Sequence, residues 1–342
     1  MTSTSSQMLR EVMEIPDAIE RLLTQGAADV QAAAKVARDL DPVYLLSVAR
    51  GSSDHACTYL KYASELLLRR PMASVGPSVK SVYDVDIQCK GALSFSVSQS
   101  GMSPDIVRMT DAITRGGGLS IAITNNGASD LAKVAGAVLP IHAGPELSVA
   151  ATKTFVTSMV TGLWLLAEIQ ADADLLAAIH KLPAHISDAV CCDWSPVADA
   201  ITNGSLFTIG RGPSWAIANE AALKFKETCQ IHAESYSSAE VLHGPVSIVD
   251  RSFPVLCFAN RDVAEDSVAG VADALSDKGA TVFATTPKVR NAHVLPHIRT
   301  DHWLTDPISL IASFYRMVET VAVSRGIDPD NPRHLKKVTE TV

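Results

Sequence analysis

The chain has 342 residues, 47% of them hydrophobic, 5% aromatic and 19% charged, with a formal charge of −8 at pH 7. That much apolar material excludes a disordered chain, and the acidic balance excludes a duplex nucleic-acid surface, which needs clustered Lys and Arg. At roughly 150 residues per domain the length predicts two domains, so two similar halves are the first thing to seek.

Residues 1–25 read as an N-terminal helical segment, and "MTSTSSQMLREVMEIPDAIERLL" lacks the basic-then-apolar layout of a signal peptide. The most apolar run, "FVTSMVTGLWLLAEI", is too short and too interrupted by Thr, Ser and Gly to span a bilayer, which predicts a cytoplasmic protein with no membrane partner. "VYLLSVA" at 43–49 reads as a strand without polar alternation, as expected when both faces are covered. "ALSFSV", "LSIAIT" and "GAVLPI" follow, alternating with helical patterns at 54–68, 104–114 and 128–134. A parallel sheet wrapped by helices is therefore expected for a first domain over 26–192, closed by helical patterns at 149–170 and 173–190. The rhythm restarts with "SLFTIGRGPSWAIANEAALKFKE", which repeats the layout of "YLLSVARGSSDHACTYLKYASE": an apolar strand, Arg-Gly, then a helix. "PVLCFAN", "TVFATT" and "AHVLPHI" supply further strands of a second domain over 193–325, with helices at 263–278 and 307–325. The expected class is α/β, two doubly wound parallel sheets in tandem. The tail at 326–342 reads, on composition, as a frayed end. The six cysteines form no CxxC pair, and Cys191-Cys192 lies in a region that reads as helix, so reduced, mostly buried thiols are expected.

In an open parallel sheet the ligand crevice lies at the carboxyl ends of the strands, and there the turns of this chain are polar. Helix N-termini carry unpaired N–H groups and partial positive charge, hydroxyls add donors, and Gly permits close approach, so "SQSGMSP" suits a phosphate. Ser98, Ser100 and Ser103 have that chemistry. Ser103 before Pro104 equally suits a helix N-cap, which would leave Gln99 and the other serines unexplained. "GRGPSW" is a poor dinucleotide loop, because Trp215 stands where a third glycine belongs, and no P-loop pattern occurs. Glu220, Lys224 and Glu227 recur at i, i+4 and i+7 near one helix face, either as a solvated charge stripe or facing inward. His232, Glu234, Glu240 and His243 crowd into a segment ending at Gly244-Pro245, a turn in which polar groups can be aimed inward. Carboxylates and imidazoles beside a phosphate cradle suit proton shuttling between adjacent carbons of a sugar. No metal-ligand spacing is present, and His55, His142, His180 and His293 read as structural.

"SSDHA", "SQSG", "HAGPELSVAATKTF", "EAALKFKE", "IHAESYSSAEVLHGP" and the tail "PRHLKK" together resemble the sugar isomerase (SIS) family, in the tandem form found as the isomerase portion of glucosamine-6-phosphate synthase. The resemblance runs in order over nearly the whole chain and implies two flavodoxin-like SIS domains, a sugar-phosphate substrate, a homodimer, and neither metal nor organic cofactor. It implies that Ser52 and Ser53, with Ser98, Gln99, Ser100 and Ser103, hold the phosphate. Glu227 would be the base moving a proton between C1 and C2, and His243, reaching in from the neighbouring subunit, would open the ring. Lys337 would be the tail lysine that forms an imine with an open-chain ketose, with Glu220, Lys224, Val149 and Lys336 lining the site, so the tail is expected to fold over the sugar. Met102 and Lys336 depart from the family pattern, where Glu and a small residue are usual. The synthase also carries an N-terminal glutaminase domain with a cysteine after its initiator methionine, whereas here Met1 precedes Thr2-Ser3-Thr4 and the first cysteine is Cys57. The expected reaction is accordingly the reverse one, glucosamine 6-phosphate and water to fructose 6-phosphate and ammonia. Alternatives are another phosphosugar aldose-ketose isomerase, a galactosamine-6-phosphate deaminase, a fructosamine-6-phosphate deglycase, or a sugar-phosphate-sensing module.

Overall fold

Apolar runs with no polar alternation need cover on both faces, and in the computed structural model, which describes residues 5–201 and 204–337, each becomes a strand of an all-parallel sheet. The first sheet comprises β1 (Tyr44–Val48), β2 (Met72–Ser74), β3 (Ala92–Val97), β4 (Leu119–Thr124) and β5 (Ala137–Pro140), in the order β2-β1-β3-β4-β5. The second comprises β6 (Ser205–Gly210), β7 (His232–Ser237), β8 (Pro254–Cys257), β9 (Thr281–Ala284) and β10 (His293–Val294). Its order, read from one edge, is β7-β6-β8-β9-β10, which is the order of the first sheet repeated. The likeness of the two halves thus extends from sequence to topology.

Burial explains the strand composition. On β3, "ALSFSV", every residue is buried, and Ser96 is tolerated there because Thr110 donates to its hydroxyl at 2.8 Å. Leu46, Val48, Ile106, Met109 and Ile113 pack one face of the first sheet against its helices. Ile209, Val255, Val268, Leu275 and Val282 do the same for the second. Each such side chain contributes about 1.5–3 kcal/mol by leaving water. The glycines of the two Arg-Gly turns share one conformation: Gly51 has φ 54°, ψ −133° and Gly212 has φ 57°, ψ −132°. That region of backbone space disfavours any side chain, which explains glycine at both.

The chain forms two compact units that interleave in sequence. One, built on the first sheet, collects Asp17–Glu146, Lys153–His180 and the tail from Lys336. The other, built on the second sheet, collects the chain up to Pro16, Leu147–Thr152 and Lys181–Leu335.

Several local expectations need correction. The helical pattern at 173–190 is two helices, Ala173–His180 and Leu182–Ala189, because Pro183 cannot continue the first and instead starts the second. Cys191 and Cys192 lie in the turn beyond, exposed and half-buried respectively, while Cys57, Cys89, Cys229 and Cys257 are buried. The pattern from 149 becomes helical only at Lys153. His232 and Glu234 lie on the edge strand β7, half-exposed or exposed, rather than in an inward-aimed turn. Of the tail expected at 326–342, residues 338–342 lie outside the described residues, as do residues 1–4 of the N-terminal segment. No helix among the described residues is long and apolar enough to cross a membrane, and they contain no group of three or more His, Cys, Asp or Glu able to hold a metal ion.

Candidate functional site

The strand order of the first sheet reverses between β1 and β3, and such a switch point opens a crevice at the carboxyl ends of the two strands. Ser52 and Ser53 begin the helix Ser52–Leu68 there, in its first turn. After β3, Ser98 Oγ accepts from Gly101 N at 3.2 Å and Ser100 Oγ from Met102 N at 3.2 Å, which closes a tight turn ahead of the helix Pro104–Arg115. Gly101 has φ 65°, and a Cβ there would lie 2.1 Å from Ser129 Oγ, so only glycine fits. Gln99 is fixed through its carbonyl, which accepts from Asn125 N at 3.1 Å. Ser103 occupies the N-cap position, yet its side chain makes no capping hydrogen bond. The capping expectation therefore fails for that hydroxyl.

Two residues that sequence reasoning missed join the loops. Arg50, after β1, donates from Nε to Asp105 Oδ2 at 3.0 Å, and Asp105, buried in the first turn after β3, also accepts from Ile106 N at 2.9 Å. This pair fixes the spacing of the two serine-bearing turns. The signal lay in the repeated Arg-Gly.

The same unit holds the tail lysine. Lys337 Nζ donates to Glu146 Oε2 at 2.8 Å. Glu146 is buried and also accepts from Thr154 N at 3.1 Å and Thr154 Oγ1 at 2.7 Å, so one carboxylate caps the helix Lys153–Gln170 and docks the tail. Glu146 was not singled out from sequence, although it stands inside the quoted "HAGPELSVAATKTF". Lys336 is exposed.

The second unit places Glu220, Lys224 and Glu227 on the helix Pro213–Cys229, and the solvated-stripe alternative fails: Glu220 and Lys224 are wholly buried and only Glu227 keeps an exposed edge. Lys224 Nζ lies 3.3 Å from Glu220 Oε1 and donates to Glu227 Oε2. Tyr315 OH donates to Glu220 Oε1 at 3.1 Å. Burial works against the Lys224 charge, but the two carboxylates outweigh it and raise its pKa above the ordinary lysine value. Lys224 is thus a fixed cation and a poor candidate for an imine-forming amine. A pKa raised on folding stabilises fully below the free-lysine value, about 10.4, and that contribution fades only as pH rises through the folded value. Lys224→Met should therefore cost about 3–5 kcal/mol at neutral pH by stranding Glu220 in the core, a loss readable from denaturant melts.

His243 ends a 3-10 turn, Val241–His243, and is exposed. Val149 donates its N–H to Asp330 O at 3.3 Å. The structure thus gathers the serine turns and Lys337 in one unit, and Glu220, Lys224, Glu227, His243 and Val149 in the other.

The sequence profile of the SIS domain matches residues 44–168 and 201–323, one stretch for each sheet. A glutamine–fructose-6-phosphate aminotransferase (isomerizing) from Pyrobaculum aerophilum is 30% identical over 347 residues, covering 96% of this chain and 56% of that protein. The chain spans little more than half the length of the curated relatives it matches. Among solved structures, a Silicibacter pomeroyi protein, whose own assignment as a phosphosugar isomerase is provisional, superposes with a TM-score of 0.93 at 60% identity, over 95% of this chain and all of that one. A glucosamine-6-phosphate deaminase from Thermotoga maritima superposes with a TM-score of 0.77 over 98% of this chain and 100% of that one; at 19% identity the two share the fold.

Proposed function

Because the chain belongs to the SIS domain family and carries two copies of that domain, we propose that it is a phosphosugar isomerase acting on an amino sugar, converting glucosamine 6-phosphate and water to fructose 6-phosphate and ammonia. The observation that carries the reading is the helix Pro213–Cys229, where a buried ammonium is clamped between two carboxylates and only Glu227 presents an edge to the outside. A surface charge stripe needs no such burial, whereas a base that must act at one carbon–carbon bond needs a fixed position.

In this reading the serine turns hold the phosphate ester, and Glu227 takes the proton from C2 of the open-chain aldose and returns it to C1. A proton also passes from the C2 nitrogen to O1, so that the carbon–oxygen double bond at C1 becomes a hydroxyl and a carbon–nitrogen double bond forms at C2. Water adds at C2, the C2–N bond breaks, and ammonia leaves with the electron pair of that bond. Lys337 can take the place of ammonia at C2 as an imine before water completes the hydrolysis. His243, exposed in its own chain, would assist ring opening in the site of a second copy within a homodimer.

Gly101→Ala is expected to raise KM for the sugar phosphate at least about tenfold, the scale of one lost hydrogen bond to a charged group, with kcat changed far less; steady-state kinetics checks it. The reaction itself is tested by incubating the protein with glucosamine 6-phosphate and measuring ammonia and fructose 6-phosphate together. Equal amounts of both are expected. Interconversion of hexose phosphates without ammonia, or no turnover, would overturn the deaminase reading.

A further inference from the structure

Glu11 lies on the helix Gln7–Met13 and is wholly buried, and among the described residues the groups donating to it are neutral. Its Oε1 accepts from Leu147 N at 2.5 Å and from Gln7 Nε2 at 2.9 Å, and its Oε2 accepts from Ser148 N at 3.3 Å and from the Ser148 hydroxyl. A carboxylate buried without a cation is costly, and here backbone and hydroxyl donors offset that cost. The helix is held in return: Asp330 accepts from Gln7 N and Met8 N, both at 2.7 Å, across its N-terminus. The Asp330 carbonyl accepts from Val149 N. Three consecutive N–H groups, at 147, 148 and 149, are therefore fixed by two residues from opposite ends of the chain.

What these contacts hold is informative. Residue 146, one position before the strap, is the carboxylate that docks Lys337, and Asp330 stands seven residues before that lysine. The contacts of Glu11 and of the Asp330 carboxylate run to the strap and to the N-terminal helix. We infer that Glu11 and Asp330 are positioning residues: the N-terminal helix acts as a buckle that sets the strap carrying Val149 and the root of the tail that delivers Lys337. The inference about turnover rests on the proposed reaction, whereas the inference about the strap does not.

The test is made on the full chain with Glu11→Gln, which keeps the shape but turns an amide N–H toward donors. Hydrogen–deuterium exchange should quicken by about tenfold or more in peptides covering 144–152 and 326–337 and stay unchanged over 92–104, as for local opening after loss of buried hydrogen bonds. In parallel, kcat should fall about tenfold with KM within about twofold. If both peptides exchange as in the wild type, the buckle is wrong. If they loosen while kcat holds, Glu11 is structural and positions nothing. A wild type that does not turn over glucosamine 6-phosphate refutes the proposed reaction instead, and the exchange result alone then decides whether the strap is held. Should Glu11→Gln unfold the whole chain, Ser148→Ala removes one donor only and is expected to move both readouts in the same direction by about threefold; no movement overturns the inference.

Discussion

Replacing Glu227 with Gln is expected to lower kcat by about 10²- to 10⁴-fold, the range lost when a positioned general base is removed, while KM for the sugar phosphate stays within about threefold. The structure separates the two effects. Glu227 is on the helix Pro213–Cys229, and the serine turns follow β1 and β3, so substitution of one leaves the hydrogen bonds of the other in place. The amide oxygen of Gln can still accept from Lys224, and Glu220 still neutralises that buried ammonium, so the variant should fold. Binding of a non-reacting hexitol 6-phosphate by calorimetry gives the control, expected to match the wild type. Turnover within about threefold of the wild type, at unchanged binding, would remove Glu227 from the chemistry and with it the assignment of this helix face.

How far the sequence foretold this depends on what each residue reports. The central strands were legible because burial on both faces writes an uninterrupted apolar run, as in "ALSFSV" and "LSIAIT". The two strands that were missed, β2 and β7, take the same outer position in their sheets. An edge strand has one neighbour and can stay polar, and "HAESYS" carries no apolar run to find. The serine turns were legible as chemistry, but that the Ser103 hydroxyl closes no cap needed its geometry. Similarly, the spacing of Glu220, Lys224 and Glu227 fixed a shared helix face without saying whether it faced water. Glu11, Glu146 and Asp105 were invisible for a different reason: a buried carboxylate takes its meaning from donors far along the chain, such as Ser148 for Glu11 and Lys337 for Glu146.

Glu146 leads to the second large effect. With fructose 6-phosphate and borohydride, the wild type should acquire a reduced sugar adduct on Lys337, and Lys337→Met should acquire none. Lys224 cannot substitute, because two carboxylates hold its charge in the core. Glu146→Gln is expected to slow trapping by about 10²-fold, the loss that follows when a reacting group is misplaced by about an ångström. The side-chain amide of Gln can satisfy Thr154 N through its oxygen, but its N–H groups then oppose the Lys337 ammonium, which sits 2.8 Å from the same carboxylate in the wild type. The tail loses its docking point while the helix Lys153–Gln170 keeps its cap. Stability should accordingly change little and reactivity much. Mass spectrometry of the tail peptide decides the matter: label on another lysine, or trapping of Glu146→Gln at the wild-type rate, would show that the docked Lys337 is not the amine that meets the sugar.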